Sequence, residues 1–122
     1  MDQEEQLSRV FAALADPTRR DVVRRLAGGD ATLTDLASAY DVSVQAVAKH
    51  LKVLEDAGLV RRTREAQRRP ATLTADVLGL LTEWIERRRR EAEERYQRLD
   101  AVLDRMARDE EPSSRRQEGA GP

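Results

Sequence analysis

The stretch Ser43 to Leu59 reads SVQAVAKHLKVLEDAGL and carries two different faces at helical spacing. Val47, Leu51 and Leu54 recur at i, i+4 and i+7 on one side, while Gln45, Ala48, Lys49 and Lys52 gather nearly opposite. The first face can anchor a helix in a core. The second offers an amide, a methyl and two ammonium groups in one row, which is either a solvated surface or one built to meet something acidic. A glutamine amide can pair with adenine N6 and N7 in the major groove, a methyl can pack on thymine, and a lysine can neutralise a phosphate. Ser43 and Val44, at the start of the stretch, would stand closest to the same surface.

A second cationic group follows within a few residues. Arg64, Arg68 and Arg69, with Gln67 between them, crowd a short segment bounded by two apolar runs. Between Val44 and Thr72 seven cations face three anions, a local charge of +4, whereas Met1 to Asp16 carries −3. Lys and Arg total 22 against 23 Asp and Glu, so the overall balance conceals this segregation. Phosphate neutralisation dominates nucleic-acid affinity, so the basic segment has the character of a DNA reader.

Other chemistries find little support. Cysteine is absent and His50 is the single histidine, which removes thiolate ligands, thiol nucleophiles and any imidazole-built zinc site. His50 lies beside Val53 and Ala57 on the wheel, so packing with one satisfied nitrogen is expected of it. No nucleophile-base pair, phosphate loop or ligand cluster is present, so neither an enzyme nor a cofactor is expected. Arg87 to Arg90 spread around a helix, and Glu86-Arg90, Glu91-Arg95 and Glu94-Arg98 have the favourable i,i+4 order, which describes a salt-bridged solvated face. The start MDQEEQ is acidic and no apolar run approaches the ~20 residues of a membrane span, so the cytoplasm is the expected location.

The elements that must position the basic row follow from caps and breakers. With 122 residues and 39% hydrophobic composition, one modest core is expected. Leu7, Val10, Phe11 and Leu14 predict a first helix ending near Ala15, and Asp16-Pro17 supplies the cap and first-turn proline of the next. That second helix, with Val22, Val23 and Leu26 inward, stops at Gly28-Gly29. A short helix over Thr34 to Tyr40, with Leu36 and Ala37 buried, then turns through Asp41-Val42-Ser43 into the opening stretch, which Ser43 caps and Gly58 ends. Leu59-Val60 and Ala71 to Thr74 read as hairpin strands, the second starting after Pro70 because proline lacks an amide donor.

From Asp76 to Arg108 helical spacing runs for ~50 Å at 1.5 Å per residue. Leu78, Leu81, Ile85, Ala92, Leu99, Leu103 and Met106 form a near-heptad stripe suited to a partner helix, with Trp84 and Tyr96 as packing anchors. Leu7, Val10 and Phe11 of the first helix are further candidates for that dimer surface. The tail from Asp109 is poor in apolar residues and reads as disordered.

This order of elements predicts a mainly α, dimeric winged helix-turn-helix with a small β-hairpin: residues 1–75 for DNA, 76–108 for dimerisation and 109–122 as tail. ADPTRRDVVRRLA, SVQAVAKHLKVLEDAGLV and EWIERRRREAEERYQRLDAVL together resemble the ArsR/SmtB superfamily of bacterial winged-helix repressors across residues 7 to 106. The last segment is most similar to the branch often encoded beside SRPBCC-type proteins. The resemblance implies a homodimeric repressor on a double-stranded, pseudo-palindromic operator, most simply its own, with any small-molecule effector unidentified. Metal-sensing members use cysteines on the first helix of the motif or histidines and acids on the last helix. Thr34 to Tyr40 has no thiol and the last helix no histidine, so no metal is expected. Ala48 replaces a usual serine, and Glu65-Ala66-Gln67-Arg68 replaces a usual glycine-containing wing tip. The alternative readings are a winged-helix protein-interaction module that does not touch DNA and a repressor released by a small molecule.

Overall fold

The computed structural model of the protein describes the backbone of residues 2–63 and 69–119, and the side chains among them as far as Glu110. Two compact units are present, Met1–Glu83 and Trp84–Pro122. The division falls inside the last helix, about two turns later than the boundary read from the sequence. The reason is packing: Val77 is buried in the core of the first unit, and Leu78 and Leu81 lie against it.

In the first unit each helix begins where a side chain can satisfy free amides. Helix α1 (Gln3–Leu14) is capped by Asp2, whose carboxylate accepts the Glu5 amide at 2.8 Å. Helix α2 (Pro17–Ala27) is capped by Asp16, which accepts the Arg19 amide at 3.0 Å, and Pro17 occupies the first turn where no donor is needed. Helix α3 (Leu33–Ala39) starts with a reciprocal box, Thr32 and Asp35 each bonding the other's amide at 3.1 Å. Helix α4 (Val44–Asp56) is capped by Ser43, whose hydroxyl accepts the Ala46 amide at 3.1 Å.

Strands β1 (Val60–Arg62) and β2 (Ala71–Leu73) pair antiparallel, Val60 opposite Leu73 and Arg62 opposite Ala71. Pro70 stays outside β2, its carbonyl accepting the Thr63 amide at 3.1 Å. Ala31 adds an isolated bridge to Ala71, donating at 3.3 Å and accepting at 2.7 Å. That bridge tethers the hairpin to the segment just before α3. Val10, Val22, Leu36, Val47, Leu51, Leu54 and Leu59 meet in one core, so every helix of the motif and the root of the hairpin share it.

Gly58 closes α4 with φ +81, a left-handed conformation that side chains resist. A Cβ there would stand 2.8 Å from Gln6 Nε2 on α1. Gly58→Ala is therefore expected to lower stability by roughly 1 to 2 kcal/mol, the cost of that conformation for an L-residue. Urea unfolding midpoints check it, and an unchanged midpoint contradicts it.

The final helix, α5 (Ala75–Gly119), belongs to both units and extends as far as Gly119 into the segment expected to be a disordered tail. Its composition argues against a packed core, yet a helix closes its own backbone bonds and needs no core to do so. In the second unit Ile85, Tyr96, Leu99, Val102, Leu103 and Met106 are all exposed. The ion pairs include Arg88 with Glu91, Arg89 with Glu86 and Arg89 with Glu93. These differ from the Glu86-Arg90, Glu91-Arg95 and Glu94-Arg98 pairs expected from spacing. Such exposed pairs differ by only a few tenths of a kcal/mol, so several partners compete.

Candidate nucleic-acid interface

Helix α4 separates its two faces as its spacing predicts. Val47, Leu51 and Leu54 are buried, while Gln45, Lys49 and Lys52 are exposed and Ala48 is half-buried between them. Ser43 and Val44 are exposed at the N-terminal end of the same surface, where Val44 leaves 46% of its area open. Lys52 pairs with Asp56 one turn on at 3.2 Å. An exposed pair of this kind contributes little, so a phosphate can compete for the ammonium group.

The hairpin contributes unequally. Arg61 and Arg69 are exposed, and Arg69 sits at φ +41 immediately before Pro70. Arg62 instead folds back toward α4: its side chain is 20% exposed, its Nε lies 3.9 Å from Glu55, and that nitrogen is buried with no hydrogen-bond partner among the described residues. Arg64, Gln67 and Arg68, the remaining hairpin residues expected at DNA, lie outside the described residues.

The motif that carries α4 is fastened by polar contacts between elements. Asp21 of α2 accepts the Tyr40 hydroxyl at 2.5 Å, Arg24 at 2.6 Å and Arg25 at 3.1 Å, and Arg25 lies over the Tyr40 ring at 5.1 Å. The Tyr40 hydroxyl bond first, then the Arg24 and Arg25 bonds, hold the Asp21 carboxyl down at about 2 from an ordinary 3.8. A carboxyl depressed by folding adds stability that is complete above the unfolded value. That stability is lost as pH falls through the folded one. Between pH 4 and pH 2 the wild type should thus lose stability that Asp21→Asn does not lose, read from urea midpoints across that window. Parallel acid profiles for the two proteins contradict it.

Two arginines passed over in the sequence secure the other junction. The last turn of α1 has no basic residue, and its carbonyls are met from α2 instead. Arg19 donates to Ala13 at 2.7 Å and Ala12 at 3.2 Å, and Arg20 to Leu14 at 2.8 Å and Ala15 at 3.1 Å. Their position was the available signal: when one helix follows another after two residues, cations in its first turn are within reach of the preceding carbonyls. Arg19 also reaches His50 of α4, with Nη1 3.3 Å from Nδ1.

The residues expected at a dimer surface fall into three groups. Val10 is wholly buried in this chain's own core and has no surface left for a partner. Leu7 is likewise buried, and Leu81, on the second turn of α5, is half-buried against the core. Phe11, 41% exposed, remains on α1. Ile85, Ala92, Tyr96, Leu99, Leu103 and Met106 are exposed on α5, Trp84 is half-buried with Arg88 over its ring, and Val102, not singled out from spacing, joins the exposed stripe.

Residues 14–63 match a family model described as a helix-turn-helix domain. An ArsR-like transcriptional regulator from Rhodococcus sp. RHA1 has a similar structure, with TM-score 0.74 and 30% identity over 81% of this chain and 93% of that one. The transcriptional repressor SdpR of Bacillus subtilis is 33% identical over 79 residues, covering 65% of this chain and 88% of SdpR. The chain belongs to the ArsR/SmtB family. It is thus a winged helix-turn-helix transcriptional regulator of that family, with α3 and α4 as the motif and β1 and β2 as the wing. A homodimeric winged helix-turn-helix DNA-binding domain from Mycobacterium bovis is also similar, at 28% identity and TM-score 0.58 over 67% of this chain and 79% of that one. Among the described residues of this ArsR/SmtB member, no three histidine, aspartate or glutamate side chains gather closely enough to hold a metal ion. No helix among them is long and apolar enough to cross a membrane.

Proposed function

We propose that this ArsR/SmtB member is a cytoplasmic repressor that binds a pseudo-palindromic DNA operator as a homodimer, most simply upstream of its own gene. The observation that carries the reading is α4 itself: Gln45, Lys49 and Lys52 are exposed in one row on a helix whose opposite face, Val47, Leu51 and Leu54, is locked into the core. Gln45 and the methyl of Ala48 read base edges, Lys49 and Lys52 meet phosphates, and Ser43 and Val44 approach the duplex at the start of the helix. The wing adds Arg64, Gln67, Arg68 and Arg69. The exposed stripe of α5 from Ile85 to Met106, together with Phe11, supplies the dimer surface, and the homodimer of the similar Mycobacterium bovis domain supports that assembly. No metal or cofactor takes part.

Mobility shifts on the DNA upstream of the gene, repeated over a range of salt, test the reading. Lys49, Lys52 and the wing arginines Arg64, Arg68 and Arg69 from two protomers give about ten phosphate contacts and a log-affinity against log-salt slope near −9. Binding that is absent, or indifferent to salt, favours instead a winged helix that meets another protein.

A further inference from the structure

We propose that Arg19 is a positioning residue for base recognition, holding α4 at one rotation about its own axis through His50. The inference rests on the DNA-binding reading and deepens it. Arg19 stands in the first turn of α2 and its guanidinium reaches two helices at once. Nε and Nη2 hold the Ala13 and Ala12 carbonyls at the end of α1, at 2.7 and 3.2 Å. Nη1 lies 3.3 Å from His50 Nδ1. A guanidinium has donors only, so a hydrogen bond at this contact requires Nδ1 to accept, with the ring proton on Nε2. The Asp16 carboxylate, fixed by the Arg19 amide, stands 3.9 Å from the same nitrogen.

Most of the rest of the seat of α4 is apolar; its other polar contacts lie at its C-terminal end, where Glu55 meets Arg62 at 3.9 Å and the Ala57 carbonyl accepts from Gln6 at 3.5 Å. Val47, Leu51 and Leu54 hold the helix against the core by contacts that have no preferred direction. A directional bond at His50, on the flank between the core face and solvent, fixes what those contacts leave free. Side-chain atoms stand about 5 to 6 Å from a helix axis, so a roll of about 10° displaces them by about 1 Å. Base-edge hydrogen bonds tolerate only a few tenths of an ångström, from about 2.7 to 3.2 Å. A roll of that size takes the short Gln45 amide out of register, while the long Lys49 and Lys52 side chains still follow a phosphate. Loss of the Arg19–His50 bond therefore weakens sequence preference and spares general affinity for DNA.

The test uses the full chain and the duplex that the wild type enriches most from a randomised pool, compared with random duplex of equal length. Arg19→Lys keeps the charge without the fork, and His50→Phe keeps a ring while leaving the α1 carbonyls capped. Each is expected to cut the selected-over-random affinity ratio about tenfold, the size of one lost bidentate base contact, with random-duplex affinity within about twofold of wild type. The double variant should lose no more than either single one. Nitrogen-15 spectra of the lone imidazole should show Nδ1 unprotonated and accepting in the wild type and altered in Arg19→Lys. A full ratio in His50→Phe overturns the proposal. So does a parallel loss of selected and random affinity, which marks a role in stability alone. A wild type that enriches no sequence overturns the DNA reading itself and this inference with it.

Discussion

A Leu99→Asp, Leu103→Asp double variant should sediment as a monomer and bind operator DNA at least tenfold more weakly, with helical circular dichroism largely retained. Both leucines are about half exposed on α5, at 52% and 54%. Burying the half that remains open contributes on the order of 1 kcal/mol each, about half the gain of burying a fully exposed leucine. Aspartate at both sites removes that gain and sets two carboxylates one turn apart on the surface a second copy must cover. Among the described residues the core of the first unit draws nothing from beyond Leu81, so the reading domain has no reason to unfold. Operator affinity should fall because two recognition helices must stand about 34 Å apart to enter successive major grooves, and a shared dimer surface fixes that distance. A variant that stays dimeric and binds normally moves the main dimer surface to α1, where Phe11 is the exposed apolar residue in question.

Lys49→Ala and Gln45→Ala should weaken binding in different ways although both residues lie exposed on one face of α4. Lysine meets a phosphate as a point charge and carries no sequence information. Its loss should weaken binding to every duplex and flatten the salt slope by about 1 per protomer. Glutamine reads a base edge, so its loss should relax choice at one base pair per half-site by roughly 1 to 3 kcal/mol and leave the slope alone. Titrations of both variants on the operator and on single-base substitutions of it separate the two. Unchanged affinity and slope in both variants would remove α4 from the groove.

What could be read in the sequence is what side chains determine locally. Asp16-Pro17, Gly28, Ser43 and Gly58 mark helix ends because capping is a contact between near neighbours, and α2 and α4 begin and end where those residues place them. The division of α4 into a buried and an exposed row was equally legible, since three apolar residues at i, i+4 and i+7 leave one way to seat the helix. Contacts between distant residues left no such mark. One bridge from Ala31 to Ala71 has no periodicity, and nothing in the spacing connects Tyr40 to Asp21 or Arg19 to His50. On α1 the wheel could not separate a core face from a partner face: Val10 and Phe11 are adjacent, yet one is wholly buried and the other 41% exposed. The same limit applied to α5, whose stripe is continuous in sequence but passes from the core at Val77 and Leu81 to solvent at Ile85.

The most direct measurement of the central claim is a footprint of the purified protein on the DNA upstream of its gene. A homodimer reading with two copies of α4 should protect one two-fold symmetric tract, with half-site centres one helical turn apart, about 10 to 10.5 base pairs, or a whole multiple of that spacing. The Lys49→Ala variant should protect the same tract only at higher protein concentration. Protection that lacks a dyad, or a tract equally well protected at low and high salt, would contradict a dimeric repressor that reads DNA with this helix.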